Sequence, residues 1–164
     1  SLHDALPIYT PSKQKSENVF TKSILNGKDG GGIMKILVAY VGGLDVDRAV
    51  LEVAKKHAKA FNASLYVACS MERVSEKERR DLDKVEKHLA YVKETMDAEG
   101  IECETHILVR GLTPGEDIVE FAEDQKVDEI IIGIEKKSKV GKLLFGSNAQ
   151  YIILQSSCPV VSVK

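Results

Sequence analysis

The sequence comprises 164 residues, 43% hydrophobic and 29% charged, a composition typical of one compact globular domain. Its 23 basic and 25 acidic residues are spread along the chain and leave a formal net charge of -2, which argues against a nucleic-acid-binding protein. Because no apolar run approaches the roughly 20 residues of a membrane-spanning helix and no export signal is recognisable, we expect a cytoplasmic protein without a membrane anchor.

The first part of the chain differs in character from the rest. Residues 1–33 show no sustained helical or strand period and end in a glycine-rich stretch, residues 26–32, which is typical of a linker. Met34 runs directly into an apolar segment, as a start methionine followed by a buried strand would. We therefore predict that residues 1–33 are a disordered or non-native extension and that residues 34–164 form the folded domain.

From Met34 onward, five short apolar runs alternate with helical patterns. The runs cover residues 35–40, 64–69, 102–109, 129–133 and 159–163. Four of them are nearly continuous and rich in β-branched residues, as strands covered on both faces are. This alternation predicts an α/β fold, namely a single-domain, doubly wound, five-stranded parallel sheet with helices on both faces.

Four helices are predicted between the strands. Hydrophobic residues within 46–61 and within 82–96 recur at steps of three and four, which places them on one face of each helix. The other two helices have start signals, because a hydroxyl residue precedes a glutamate or glutamine by three positions. These predicted capping boxes are Thr113 with Glu116 and Ser147 with Gln150.

The segment after the fourth strand is the main candidate for a ligand site. Ligands on such sheets bind beyond the carboxyl ends of the strands, where the strand order reverses. This segment, residues 133–147, contains four lysines within seven residues and ends in Gly146 and Ser147 at a predicted helix start. A helix start with a hydroxyl favours an anion such as phosphate. A solvated loop with an ordinary turn and helix cap would have the same residues, so both interpretations stay open.

The whole segment 34–164 resembles the universal stress protein family. The resemblance rests on residues 35–50, on residues 127–133, and on residues 143–147 followed by residues 158–163. Nucleotide-binding members carry a glycine, two residues, a glycine, nine residues, and then a glycine with serine or threonine. The chain matches this pattern at Gly133, Gly146 and Ser147 and has Lys136 at the middle glycine. The resemblance implies a Rossmann-like fold of the adenine nucleotide alpha hydrolase-like type and ATP, with magnesium, as the ligand.

The resemblance also implies which residues form a nucleotide site. These are Ala39, Val41, Ser70, Gly133, Lys136, Gly146, Ser147 and Asn148. ATP-binding members usually have an aspartate at the position of Val41 and often an apolar residue at that of Ser70, and a valine side chain accepts no hydrogen bond. We hypothesise that Lys136 contributes its charge to an anion held near Ser147. The departures favour the alternative of a stress-related interaction module that binds no nucleotide.

Homodimerisation is a further implication of the resemblance. It would use the last strand, through Val160, Val161, Ser162 and Val163. No nucleophile with a base, carboxylate pair or metal-ligand set occurs at a recognisable spacing, so we predict no catalytic or metal-binding residues and, at most, slow ATP hydrolysis. The widely spaced Cys69, Cys103 and Cys158 are predicted to be small buried hydrophobic residues.

Overall fold

The computed structural model of the chain describes residues 32–41, 45–72, 76–134 and 146–164. Of the predicted extension, only Gly32 and Ile33 belong to these residues. The strands are β1 (Lys35–Ala39), β2 (Ser64–Ser70), β3 (Cys103–Leu108), β4 (Glu129–Gly133) and β5 (Val160–Val163). The helices are α1 (Asp45–Phe61), α2 (Glu76–Ala98), α3 (Pro114–Asp124) and α4 (Ser147–Gln155). Within this described part, no helix has the length and apolar character needed to cross a membrane.

The five strands form one parallel sheet in the order β3-β2-β1-β4-β5. This order places β1 at the centre and is that of Rossmann-like sheets. The predicted α/β fold is therefore confirmed, and each strand begins and ends within one residue of the predicted run.

Each face of the sheet is covered by two helices. Val50 and Ala54 of α1 and Met96 of α2 are buried in one apolar cluster with β-strand residues. Phe121 of α3 and Ile152 of α4 are buried in a second cluster on the other face. The predicted apolar helix faces thus account for the core, and α3 and α4 share one side of the sheet.

The two predicted capping boxes have different outcomes. The box at α3 is confirmed, because the Glu116 N–H donates to Thr113 Oγ1 at 3.5 Å and the Thr113 N–H donates to Glu116 Oε2 at 3.0 Å. The box at α4 is wrong. Gly146 adopts the extended cap conformation, with φ -60° and ψ 151°, so Ser147 is the first helical residue and its hydroxyl does not cap the helix.

Candidate functional site

The candidate site lies at the carboxyl edge of the sheet, where the strand order reverses. β1 has β2 on one side and β4 on the other, and the chain continues from β1 into α1 and from β4 toward α4. In open parallel sheets, the segments that leave two such strands diverge and form a crevice that binds ligands. The segments 42–44 and 135–145, which include Lys136 and the other lysines of the loop, lie outside the described residues.

The N-cap of α4 is Gly146, which has no side chain to bond the first backbone N–H groups of the helix. A methyl group added at Gly146 would have no described atom within 4 Å. Ser147 follows as an exposed first residue of the helix. Because the first N–H groups of a helix have no partner within it and carry its positive dipole end, this open space favours an anion.

Asn148 holds α4 against α3. Its Oδ1 accepts a hydrogen bond from the Gly115 N–H at 3.1 Å. A methyl group on Gly115 would lie 3.1 Å from the Asn148 carbonyl oxygen and 3.1 Å from Tyr151 Cβ, so the two helices meet through their backbones. Asn148 therefore orients the start of α4, and its side-chain oxygen is engaged with the protein.

Gly133 is needed for the packing of α1 on the end of β4. A methyl group on Gly133 would lie 2.7 Å from Val46 Cγ2 and 3.2 Å from Val50 Cγ2. Carbon atoms in favourable contact are about 3.5–4.0 Å apart. The glycine thus allows α1 to lie close to the strand, which explains this residue without a ligand.

An exposed valine follows the end of β1, and its backbone contacts a buried aspartate of α1. The Val41 side chain is 61% exposed. Its backbone N–H donates to Asp47 Oδ1 at 3.2 Å, and Asp47, on the first turn of α1, is 3% exposed. Ala39 pairs with Ala68 and Ile132 inside the sheet. A carboxylate therefore lies near the end of β1 although residue 41 is valine, and it accepts a hydrogen bond from the protein backbone.

The end of β2 is joined to α3 by a buried polar network. Ser70 Oγ donates to Asp117 Oδ2 at 2.7 Å, and Asp117 is fully buried. Arg110 Nε lies 3.3 Å from Asp117 Oδ1, an ion-pair distance without hydrogen-bond geometry, so this oxygen accepts no hydrogen bond from a described residue. Arg110 also donates to Asp124 Oδ2 at 3.3 Å and lies over the Phe121 ring. The network fixes the orientation of the Ser70 hydroxyl.

Ser70 ends β2, and Val41 follows the end of the neighbouring strand β1. Ala39 pairs with Ala68 in the register of β1 and β2, and Val41 and Ser70 each follow two residues later. Residues two apart on a strand project from the same face, and Ser70 reaches α3. Ser70 therefore belongs to the face that α3 and α4 cover, whereas Val41 lies two residues beyond the end of β1.

The sequence patterns did not reveal Asp47, Arg110 or Asp117 as site residues. Both aspartates stand near predicted helix starts, where acidic residues are common because of the helix dipole. Nothing in the local sequence separates a buried aspartate from an exposed one at such a position. Both aspartates differ from exposed ones at helix starts only because neighbouring segments bury them.

The described residues contain no cluster of three or more His, Cys, Asp or Glu side chains placed to bind a metal ion. All three cysteines are free, and Cys69 and Cys103 are buried as predicted, whereas Cys158 is half-buried. Burial raises the pKa of the Cys69 thiol and of the Cys103 thiol to about 11. Although Cys69 Sγ lies 4.0 Å from the Val41 carbonyl oxygen, its thiol is protonated at neutral pH and is a poor nucleophile.

Comparison with known proteins identifies relatives that cover the folded domain. The family model described as the universal stress protein family matches residues 32–164. A universal stress protein of Thermus aquaticus is 34% identical over 138 residues, which cover 79% of this chain and 97% of that protein. A solved universal stress protein structure from Archaeoglobus fulgidus is 34% identical with a TM-score of 0.70, covering 80% of this chain and 93% of that one. Another from the same organism, in complex with dAMP, is 31% identical with a TM-score of 0.68, covering 80% and 98%.

Proposed function

Because this chain belongs to the universal stress protein family, we propose that it binds an adenine nucleotide at the carboxyl edge of its sheet. The phosphate lies against the start of α4 at Gly146 and Ser147, and the base lies beside Val41 and Ser70. The observation that carries this proposal is the start of α4, where the N-cap Gly146 has no side chain and a methyl group added to it would meet no described atom within 4 Å.

The chemistry of a nucleoside phosphate matches both parts of this edge. Backbone N–H groups at a helix start hold a phosphate in many folds, and the exposed Ser147 hydroxyl adds a further donor. The exposed Val41 side chain offers an apolar surface for a flat base. A relative with 31% identity has been solved in complex with dAMP, which supplies both an anion and a base.

Lys136 has a defined part in this proposal. It stands three residues after Gly133, at the position of the middle glycine in the nucleotide-binding pattern described above. We propose that its ammonium group pairs with a phosphate oxygen and so replaces the close backbone contact that a glycine allows. ATP, with magnesium shielding its phosphates, is the candidate ligand alongside AMP.

Calorimetric titration of the full chain with AMP and with ATP, with and without magnesium, tests the proposal. We expect binding that weakens in Ser147→Ala and in Lys136→Glu. Ser157→Ala and Lys56→Glu are matched controls, since both residues are exposed away from α4's first turn. If neither nucleotide binds and denaturation releases none from the purified protein, the proposal is wrong. The alternative hypothesis, an interaction module that binds no nucleotide, is then favoured.

We also propose that the chain forms a homodimer through β5, an edge strand. Three of its four residues, Val160, Val161 and Val163, are apolar and half-buried. The Val163 carbonyl accepts a hydrogen bond from the Ile134 N–H at 2.8 Å. The backbone groups of Val163 and of every second residue before it in β5 therefore point toward β4. Val160 and Ser162 therefore direct their backbone groups to the open edge, where a second strand can pair with them.

Replacing Ser162 tests this interface without disturbing the β4–β5 ladder. Ser162→Pro removes the outward N–H, whereas Ser162→Ala keeps it. We expect light scattering to find a dimer for the wild type and for Ser162→Ala, and a monomer for Ser162→Pro. A dimer that persists in the proline variant would count against pairing through β5.

We also propose that the protein is located in the cytoplasm. Three free cysteines are typical of a reducing compartment, and they support a cytoplasmic location. Fractionation of cells that express a tagged full chain checks the location. Recovery in an oxidising compartment would contradict it.

A further inference from the structure

The hydroxyl at the end of β2 has a fixed hydrogen-bond polarity. Ser70 Oγ donates its hydrogen to Asp117 Oδ2 at 2.7 Å. A serine hydroxyl has one hydrogen and two acceptor lone pairs, and an ionised aspartate only accepts. The oxygen of Ser70 can therefore act toward any other group only as an acceptor.

The surroundings of Asp117 prevent this polarity from reversing. Asp117 is fully buried, so turning the Ser70 hydrogen toward a ligand would leave a buried carboxylate oxygen without a donor, which is costly. Arg110 Nε lies 3.3 Å from the other carboxylate oxygen and forms an ion pair with it. Arg110 is itself fixed by its hydrogen bond to Asp124.

Ser70 is also in the right place to meet a base. It is half-buried, ends the strand next to β1, and lies on the face that α3 and α4 cover. A residue in the middle of the sheet would have no such access. The carboxyl edge is the ligand-binding edge of this class of sheet.

We propose that Ser70, oriented by Asp117, selects the base by accepting a hydrogen bond from the exocyclic amino group of adenine. An acceptor at this position favours a base with an amino group at C6 and disfavours one with a carbonyl oxygen there, as in hypoxanthine. This inference rests on the proposed nucleotide binding and names the side chains of this chain that make it base-selective.

The contribution of the amino group is measured with two nucleotides that differ only in it. AMP is compared with purine riboside 5′-monophosphate, in which hydrogen replaces the amino group. We expect the wild type to prefer AMP by about tenfold, the value of one good hydrogen bond. Ser70→Ala should bind both nucleotides with similar affinity, whereas Ser64→Ala, at the opposite end of β2, should keep the preference.

Asp117→Asn tests the hydrogen-bond polarity of the Ser70 hydroxyl. A purely structural role of Asp117 would predict no change in the preference between bases. The asparagine carbonyl should face Arg110, a donor, so its amino group should face Ser70 and donate to it. The Ser70 hydrogen is then free for the ligand. We expect the ratio of AMP to IMP affinity to fall by about tenfold or more in Asp117→Asn, because the hydroxyl now donates to the C6 carbonyl oxygen of IMP.

The outcomes separate this inference from the proposed function. If the wild type binds no nucleotide, the proposed function and the inference both fail. If it binds AMP and purine riboside 5′-monophosphate equally, or Ser70→Ala keeps the wild-type preference, nucleotide binding stands and only the inference fails. An unchanged AMP-to-IMP ratio in folded Asp117→Asn also overturns it. If Asp117→Asn does not fold, as judged by circular dichroism, the Ser70→Ala comparison decides.

Discussion

Replacing Gly133 with alanine should destabilise the domain, whereas the same change at Gly146 should leave its stability nearly unchanged. Both glycines match the nucleotide-binding pattern, yet their surroundings differ. A methyl group on Gly133 would lie 2.7 Å from Val46 Cγ2 and 3.1 Å from Val46 Cγ1. A methyl group on Gly146 would meet no described atom within 4 Å.

The cost at Gly133 follows from the stiffness of its neighbours. Favourable carbon contacts are about 3.5–4.0 Å, so the contact with Val46 is about 1 Å too short. Valine in a helix is nearly confined to one rotamer, and Val50 behind it is fully buried, so α1 must move. Overpacking of this kind costs about 1–3 kcal/mol. For a domain of this size, that corresponds to a fall in Tm of about 4–12 °C.

The expectation for Gly146→Ala combines two small opposing effects. Alanine is less favourable than glycine as a helix N-cap. It also restricts the unfolded chain, which stabilises the fold by about 0.4–1 kcal/mol where the backbone angles are compatible, as at φ -60°. We expect the free energy of unfolding to change by less than about 0.5 kcal/mol. AMP affinity should fall by about tenfold or more, because the methyl group occupies the space assigned to the phosphate and removes a charge-assisted hydrogen bond.

Urea denaturation and calorimetric titration of the two variants measure these effects independently. A Gly133→Ala protein as stable as the wild type would refute the packing argument. A Gly146→Ala protein that loses as much stability as Gly133→Ala would show that the space beside α4 is filled. Full AMP affinity in Gly146→Ala would contradict the placement of the phosphate.

Two further predictions concern α3 and the cysteines. Hydrogen bonds from the Thr113 side chain and backbone hold the pKa of Glu116 below its ordinary value of 4.5. The stability that these bonds contribute is therefore present above pH 4.5 and is lost as the pH falls through the lower pKa of the folded state. Thr113→Ala should lower the unfolding free energy by about 0.5–2 kcal/mol at neutral pH, and urea denaturation should show less additional loss on acidification than in the wild type. A thiol reagent followed by mass spectrometry should label Cys158 before Cys69 and Cys103, because the last two are more deeply buried with pKa values of about 11. Equal labelling rates in the folded protein would refute that order.

Local patterns in the sequence were sufficient to predict the fold. Apolar runs of four to eight residues, separated by helices with one apolar face, can be buried in few ways, and parallel strands with right-handed crossovers are the usual solution. The capping box at Thr113 was also predicted correctly, because its partners are three residues apart and Pro114 favours the first helical turn. The start of α4 was misplaced by one residue, since Gly146 and Ser147 are both acceptable N-caps and only the backbone angles decide between them.

The sequence predicts the order of the elements and contains the family pattern at Gly133, Gly146 and Ser147. The roles of those residues and of their neighbours depend on how the elements pack. Gly133 is required by the close approach of Val46 on α1, whereas a methyl group at Gly146 would meet no described atom within 4 Å. Ser70 is oriented by Asp117, which lies 47 residues away in the chain. Such roles depend on burial and on contacts between distant segments, and a linear pattern carries neither, because the partner is chosen only when strands and helices pack.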